Sequence, residues 1–248
     1  MTTQNSLTIH TCFFPEVSWK NNELDYKLNI DEIHVWRIRV SEHFSDLFKE
    51  HRTILNKHDL DKASRFYWEE DFKSFLTGRI VLRILLGRYL NIAADKIEFD
   101  LTTNKPAIVP ADLAKYNLSY SGDYILISIS LLETGVDVEK VDSKFDYKDI
   151  LTSCFTSQET DSVQRDKSSR RSFYTHWTRK EALLKYTGQG IIDDLTAIPS
   201  LDGNHSISRD RLYLDENINL TSFALDSKCI GSVVYPARAS NISFLEWS

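Results

Sequence analysis

The chain has 248 residues, 42% of them hydrophobic and 27% charged, which suits a globular protein with room for one large domain or two closely packed halves. A formal net charge of −6 argues against a protein that coats nucleic acid, although a local cluster of Lys and Arg can still hold an anionic small molecule. The scattered Cys12, Cys154 and Cys229 have no CxxC or Cys/His spacing, so neither a disulfide framework nor a zinc site is expected; with a polar Met1 to Ser6 and no apolar run of membrane-spanning length, no membrane association and a cytoplasmic location are expected.

Residues 1–30 show no strong periodicity, carry a turn signal at Asn21-Asn22, and are expected to form an N-terminal extension on the surface. Ile33 to Val40, IHVWRIRV, alternates apolar and polar side chains as a half-buried strand does. Ser41 to His58 reads as helical through Phe44, Leu47, Phe48 and Ile54. Asp61 to Leu90 is the strongest helical stretch, with Phe72, Phe75, Leu76, Leu82, Leu86 and Tyr89 on one face. Arg79 and Arg83 fall on that same face. An arginine in an apolar stripe needs an anionic partner, and a structural ion pair to another element is the expected one.

Asn104-Lys105-Pro106 signals a turn. Asn117 to Ser130, NLSYSGDYILISIS, reads as two strands around a tight turn at Ser121-Gly122-Asp123. Val136 to Val141 is a further strand and Tyr147 to Cys154 a helix. Gln164 to Ser172, with Arg165, Lys167, Arg170 and Arg171, reads as an exposed polar loop. Thr175 to Tyr186 is a helix that Gly188 can end. Short strands are expected at Arg211 to Leu214, Ser222 to Leu225 and Cys229 to Tyr235. Helices and strands recur in both halves without strict alternation, so the fold class is α+β.

Two segments carry the chemistry. In Gly135-Val136-Asp137-Val138-Glu139, strand residues two apart share a face, so Asp137 and Glu139 project together with Val136, Val138 and Val141 behind them. Paired carboxylates repel unless a cation lies between them, and Mg²⁺ suits such oxygen ligands. Alternating acid and valine is also how a solvated strand face reads. In WTRKEALLK, Trp177, Glu181 and Lys185 recur four apart along one side of a helix. A Glu and a Lys one turn apart can be a surface pair, but Trp177 and Leu184 on that side point to a partly enclosed face.

Together the two segments resemble the signature pair of the Sfp-type 4′-phosphopantetheinyl transferases, a G-[IV]-D-[IV]-E strand and a W-x-x-K-E-[AS]-x-x-K helix. Gly188 and Gly190 match the K-x-x-G-x-G continuation. Upstream, Lys62 with Arg65-Phe66-Tyr67 is similar to K-x-x-R-[FY], Asn104-Lys105-Pro106 to G-K-P, and Asn117-Leu118-Ser119-Tyr120-Ser121 to N-[IL]-S-H-S. The similarity covers roughly Ile33 to Tyr235. Tyr120 replaces a histidine, and donates one hydrogen bond without a positive charge. Asp59 stands where some relatives have a second lysine, and Ser74 and Phe75 where many carry basic or hydroxylated residues that contact phosphate.

The resemblance implies an α+β fold of two pseudo-symmetric α/β halves with the active site at their interface. It divides the chain into an extension (1–30), a half with the coenzyme A contacts (31–132), and a half with the metal site and catalytic helix (133–248). It implies a monomer that transfers 4′-phosphopantetheine from coenzyme A, with Mg²⁺, to a serine of an apo acyl or peptidyl carrier protein, releasing 3′,5′-ADP. Asp137, Glu139 and Glu181 are the implied Mg²⁺ ligands. Lys62, Arg65, Lys105, Ser119, Tyr120, Ser121 and Asp137 are the implied coenzyme A contacts, and Lys185 the contact to the reacting phosphate. Glu181 is the first candidate for the base that takes the serine proton, and Glu159 the second. The basic stretch Arg165 to Arg171 could meet an acidic carrier surface or be an ordinary solvated loop. Two other readings stand beside this one. A non-catalytic carrier or coenzyme A binding module suits Tyr120 and Ser74 but has no need of three carboxylates. A metal-dependent phosphotransferase for another nucleotide lacks the expected glycine-rich loop.

Overall fold

The computed structural model describes residues 6–21, 26–102, 105–110, 113–190 and 194–248. Asn22 and Asn104, named above in turn signals, lie outside them. The first part of the chain forms β1 (Ser6–Phe14), β2 (Glu32–Arg39), α1 (Val40–Ile54), α2 (Lys57–Ala63), α3 (Glu69–Leu90), β3 (Phe99–Asp100), β4 (Ala107–Ile108), β5 (Lys115–Ser121) and β6 (Tyr124–Ser130). The rest forms β7 (Gly135–Lys140), α4 (Lys148–Cys154), α5 (Ser157–Arg165), α6 (Ser169–Thr187), β8 (Gly203–Ser208), α7 (Arg209–Leu212), β9 (Ile218–Ala224), β10 (Cys229–Pro236) and β11 (Asn241–Glu246).

Two sheets organise these elements: β11-β2-β6-β5 and β7-β10-β9-β1-β8, with a small β3-β4 ribbon. This is the expected α+β architecture, with helix α3 against the first sheet and α6 against the second. Central β6, YILISIS, is buried at every position, as a strand covered on both faces must be. One apolar cluster joins the two halves, with Ile33, Val35 and Leu126 of the first sheet packing against Val136, Val138, Phe223 and Val233 of the second. No helix among the described residues is long and apolar enough to cross a membrane.

Three expectations need correction. The expected surface extension over residues 1–30 does not hold for residues 6–14, because β1 runs between β9, to which it is parallel, and β8, to which it is antiparallel. Its alternation buries Leu7, Ile9 and Thr11 and leaves Ser6, Thr8 and His10 exposed, a period-two pattern diluted by polar β-branched residues. The last strand crosses the other way, with β11 pairing parallel to β2. The polar stretch Gln164 to Ser172 is not a loop. Helix α5 reaches Arg165, started by a reciprocal capping box between Thr156 and Glu159, and α6 begins at Ser169. Finally, Arg211 to Leu214 is not a strand, since residues 209–212 form the short helix α7, ended by Tyr213 at φ 49°.

Candidate active site

The two sheets meet edge to edge along β5 and β7, and side chains rather than backbone ladders close the gap. In β5, Asn117, Ser119 and Ser121 point one way and Tyr116, Leu118 and Tyr120 the other. The first set caps the outward N–H groups of β7. Val136 N–H donates to Asn117 Oδ1 at 3.0 Å, Val138 N–H to Ser119 Oγ at 3.3 Å and Lys140 N–H to Ser121 Oγ at 3.0 Å. The same hydroxyls then donate to the acids of β7. Ser119 Oγ donates to Asp137 Oδ1 at 2.8 Å and Ser121 Oγ to Glu139 Oε2 at 2.9 Å. Buried N–H groups without partners are costly, so this register is strongly fixed.

Helix α6 closes the seam from above. Gly135 lets it come close, for a Cβ there would lie 2.3 Å from the Ala182 carbonyl oxygen and 2.4 Å from the Tyr186 nitrogen. Gly188, at φ 70°, ends the helix by accepting the left-handed conformation. Lys185 reaches down from the last turn, its ammonium 2.7 Å from Asp137 Oδ1 and 2.7 Å from Ser119 Oγ. Asp137 is buried, and its second oxygen, Oδ2, has no hydrogen-bond partner among the described residues.

Burial dominates the titration of the carboxyls at the seam. Burial, opposed by Lys185 and Ser119, pushes the Asp137 carboxyl up. Burial and then the Asp137 charge push Glu139 up to about 7, and the same two causes, in the same order, raise Glu181. Three carboxyls held above their ordinary range mark a site that attracts positive charge. Their oxygen donors and the orphaned Asp137 Oδ2 suit a hard divalent cation in kind. Among the described residues, however, no three such side chains already stand gathered at metal-holding spacing. The Lys185 ammonium is the cation seated on Asp137.

The other expected coenzyme A contacts are more dispersed. Lys105 ties its own loop to the second half, donating to Glu133 at 2.6 Å and to the carbonyls of Tyr186 and Thr134 at 2.8 and 3.1 Å. Lys62 and Arg65 line a separate depression with His58, Asp61 and Phe66. Tyr120, 40% exposed, lies on the face of β5 opposite Ser119 and Ser121. Asp59 is buried between Arg79 and Arg83, which is the structural ion pair expected of those arginines. Asn117 is a seam residue that the motif pointed to without assigning it a role. Its place in the period-two series with Ser119 and Ser121 is the signal that finds it.

The seam unites the strand and the helix that carry the two sequence signatures. Residues 133–229 match the profile described as the 4′-phosphopantetheinyl transferase superfamily, and residues 42–131 match the 4′-phosphopantetheinyl transferase N-terminal profile. The 4′-phosphopantetheinyl transferase HetI of Nostoc sp. is 30% identical over 181 residues, covering 70% of this chain and 76% of that protein. The chain belongs to the 4′-phosphopantetheinyl transferase family. The 4′-phosphopantetheinyl transferase Sfp of Bacillus subtilis is 28% identical over 153 residues, covering 59% of this chain and 67% of its own. The L-aminoadipate-semialdehyde dehydrogenase-phosphopantetheinyl transferase of Rattus norvegicus is 28% identical over 176 residues, 62% of this chain and 57% of that one.

As a phosphopantetheinyl transferase, an enzyme of the holo-carrier-protein synthase type, the chain keeps one prominent carboxylate for structure. Glu159, the second candidate base, is buried where Lys180 Nζ lies 3.2 and 3.1 Å from its two oxygens. Ser200 N–H and Oγ donate to Glu159 Oε1 at 2.9 and 2.6 Å, and Thr156 N–H donates to Oε2 at 2.9 Å. With its lone pairs so occupied, Glu159 anchors α5 to α6 and has no oxygen left to take a substrate proton. The three arginines of the expected loop are also engaged. Arg165 pairs with Asp161, Arg170 donates to the carbonyls of Asp142 and Phe145, and Arg171 to that of Ser227.

Proposed function

We propose that this transferase moves the 4′-phosphopantetheine arm of coenzyme A onto a serine of an apo acyl or peptidyl carrier protein, with Mg²⁺, and releases 3′,5′-ADP. The observation that carries the reading is the seam itself. Lys185, Ser119 and Asp137 form one hydrogen-bonded knot beside Glu139 and Glu181, with Asp137 Oδ2 left open. A phosphoryl-transfer site needs this combination of a fixed cation and oxygen donors where charge develops.

The serine oxygen forms a bond to the phosphorus that bears pantetheine, and the bond from that phosphorus to the bridging oxygen breaks. The electron pair leaves with 3′,5′-ADP. Lys185 neutralises negative charge at the reacting phosphate, held in position by Ser119. Glu181, raised by burial and by Asp137, is a stronger base than an ordinary carboxylate and accepts the serine proton. Asp137, Glu139 and Glu181 are the residues that would hold Mg²⁺, whose chemistry is to polarise phosphate oxygens. From Glu139 a groove of about 870 Å³ runs outward between Phe145, Phe173 and Trp177, with Lys140, Lys144 and Lys228 at its rim. It offers room for an extended arm and for an acidic acceptor.

The test is mass spectrometry of several apo carrier proteins incubated with the enzyme, coenzyme A and Mg²⁺. Each accepted carrier gains the mass of one phosphopantetheine. If no carrier in a panel of fatty-acid, polyketide and peptide-synthetase types gains it, the proposal falls.

A further inference from the structure

Two lysines of α6 meet carboxylates in opposite ways. Lys180 is wholly interior and donates to both oxygens of Glu159 and to the carbonyls of Leu195 and Ile198, at 2.6 to 3.2 Å. Acceptors on several sides hold that ammonium in one place. Lys185 has two partners among the described residues, Asp137 Oδ1 and Ser119 Oγ, each at 2.7 Å. Its side chain is 30% exposed, against 5% for that of Asp137. Asp137 is fixed on β7, which is laddered to β10 on one edge and capped by β5 on the other. The lysine stem can swing away from the last turn of α6 without breaking a backbone bond. A movable cation sits on a fixed carboxylate.

That carboxylate is also the first of the acids suited to Mg²⁺. Ser119 and Lys185 both bind its Oδ1, while the buried Oδ2 has no hydrogen-bond partner among the described residues. A divalent cation on Asp137 would face an ammonium held by the same carboxylate. Like charges that close, in a site shielded from water, repel strongly. The ammonium's charge also acts on Glu139 and Glu181, so the three acids share one positive partner. A phosphate beside Lys185 changes the balance, because it offers the lysine another anion and releases Asp137.

Resting on the function proposed above, we propose that Lys185 gates the metal site. It serves as the internal counter-ion of Asp137 until a phosphate of coenzyme A draws it away, so coenzyme A and Mg²⁺ bind cooperatively. Linkage requires coenzyme A to tighten Mg²⁺ binding by the same factor as Mg²⁺ tightens that of coenzyme A. Through this exchange the nucleotide-free enzyme keeps a low affinity for the metal, and the two are admitted together.

Mg²⁺ binding to the full chain, measured calorimetrically with and without saturating coenzyme A and with no carrier protein, tests this apart from catalysis. Without coenzyme A, Lys185→Met should bind Mg²⁺ about 5- to 150-fold more tightly than the wild type, the range of coupled sites. Mg²⁺ at one fixed concentration should likewise raise the melting temperature of Lys185→Met more than that of the wild type. Lys185→Arg keeps the charge and should bind Mg²⁺ as weakly as the wild type. With coenzyme A bound, wild type and Lys185→Met should have the same Mg²⁺ affinity, since Lys185 has then left Asp137. Equal affinities without coenzyme A overturn the gate. A difference that persists undiminished with coenzyme A bound overturns it too, for that marks simple repulsion by a lysine that never moves. If Lys185→Met does not fold, Lys185→Gln is read in its place. If the wild type binds neither Mg²⁺ nor coenzyme A, separately or together, the proposed function fails and the gate with it. If both bind and the coupling is missing, the gate alone fails.

Discussion

Gly135 is where the two signature segments touch, and its missing side chain explains why a glycine opens the acidic strand. Gly135→Ala would push a methyl into the backbone of α6 at Ala182 and Tyr186. We expect a loss on the order of 1–3 kcal/mol in urea-unfolding stability, with transfer activity falling as α6 is displaced. At Lys185 the effect is chemical. Lys185→Met should lower kcat/KM for coenzyme A by about 10²- to 10³-fold in steady-state assays, and an unchanged value would remove Lys185 from the reaction. The types and spacing of Asp137, Glu139, Glu181 and Lys185 were legible from the sequence, because helical and strand periods place them. The roles of Ser119 and Ser121 were not. Their partners Asp137 and Glu139 lie 18 residues away, on the edge of a different sheet, and no local period reports that contact.

At the scale of elements, α5 and α6 act as one unit through the Glu159–Lys180 pair, which also binds the carbonyls of Leu195 and Ile198 at 3.0 and 2.6 Å. Lys180 directly precedes Glu181, so the pair fixes the rotation of α6 that turns Glu181 toward Asp137. Glu159→Gln should cost about 3–5 kcal/mol, since it leaves a buried ammonium without its counter-charge. Replacing both partners, as Glu159→Leu with Lys180→Met, should cost less than the single change. Folded Glu159→Gln should keep its transfer rate, whereas a kcat collapse in folded protein would return Glu159 to the role of base. The capping box Thr156 to Glu159 was present in the sequence as a start signal. It was obscured because the nine residues of α5 are almost all polar and only Glu159 and Val163 are buried.

The whole molecule is closed by its ends. Strand β1 enters the sheet of the second half and β11 that of the first, so neither half is a continuous segment of chain. Sequence period predicts which face of a strand is buried, but not which neighbour it chooses, and this crossing was therefore invisible. Deleting residues 1–14 should remove an interior strand and yield insoluble or unfolded protein, as read by solubility and circular dichroism.

Stability should also depend on acid. Burial, and after it the Arg179 cation, lower His176 from 6.5 to about 4 in the folded chain. Because the unfolded state binds this proton first, stability is full above about pH 6.5 and declines as pH falls toward 4. The loss is on the order of 3 kcal/mol, and His176→Gln should flatten the slope of urea midpoint against pH in that window.

The capped seam has a consequence for solubility. Edge strands normally offer a row of free N–H groups on which another chain can add a strand. Here β5 and β7 are both edges, and Asn117, Ser119 and Ser121 cover the amides of Val136, Val138 and Lys140. Separating the two sheets would uncover that row beside the apolar faces of Val136 and Val138. The hydroxyls that order the acids in the closed protein thus also keep a self-association template out of reach.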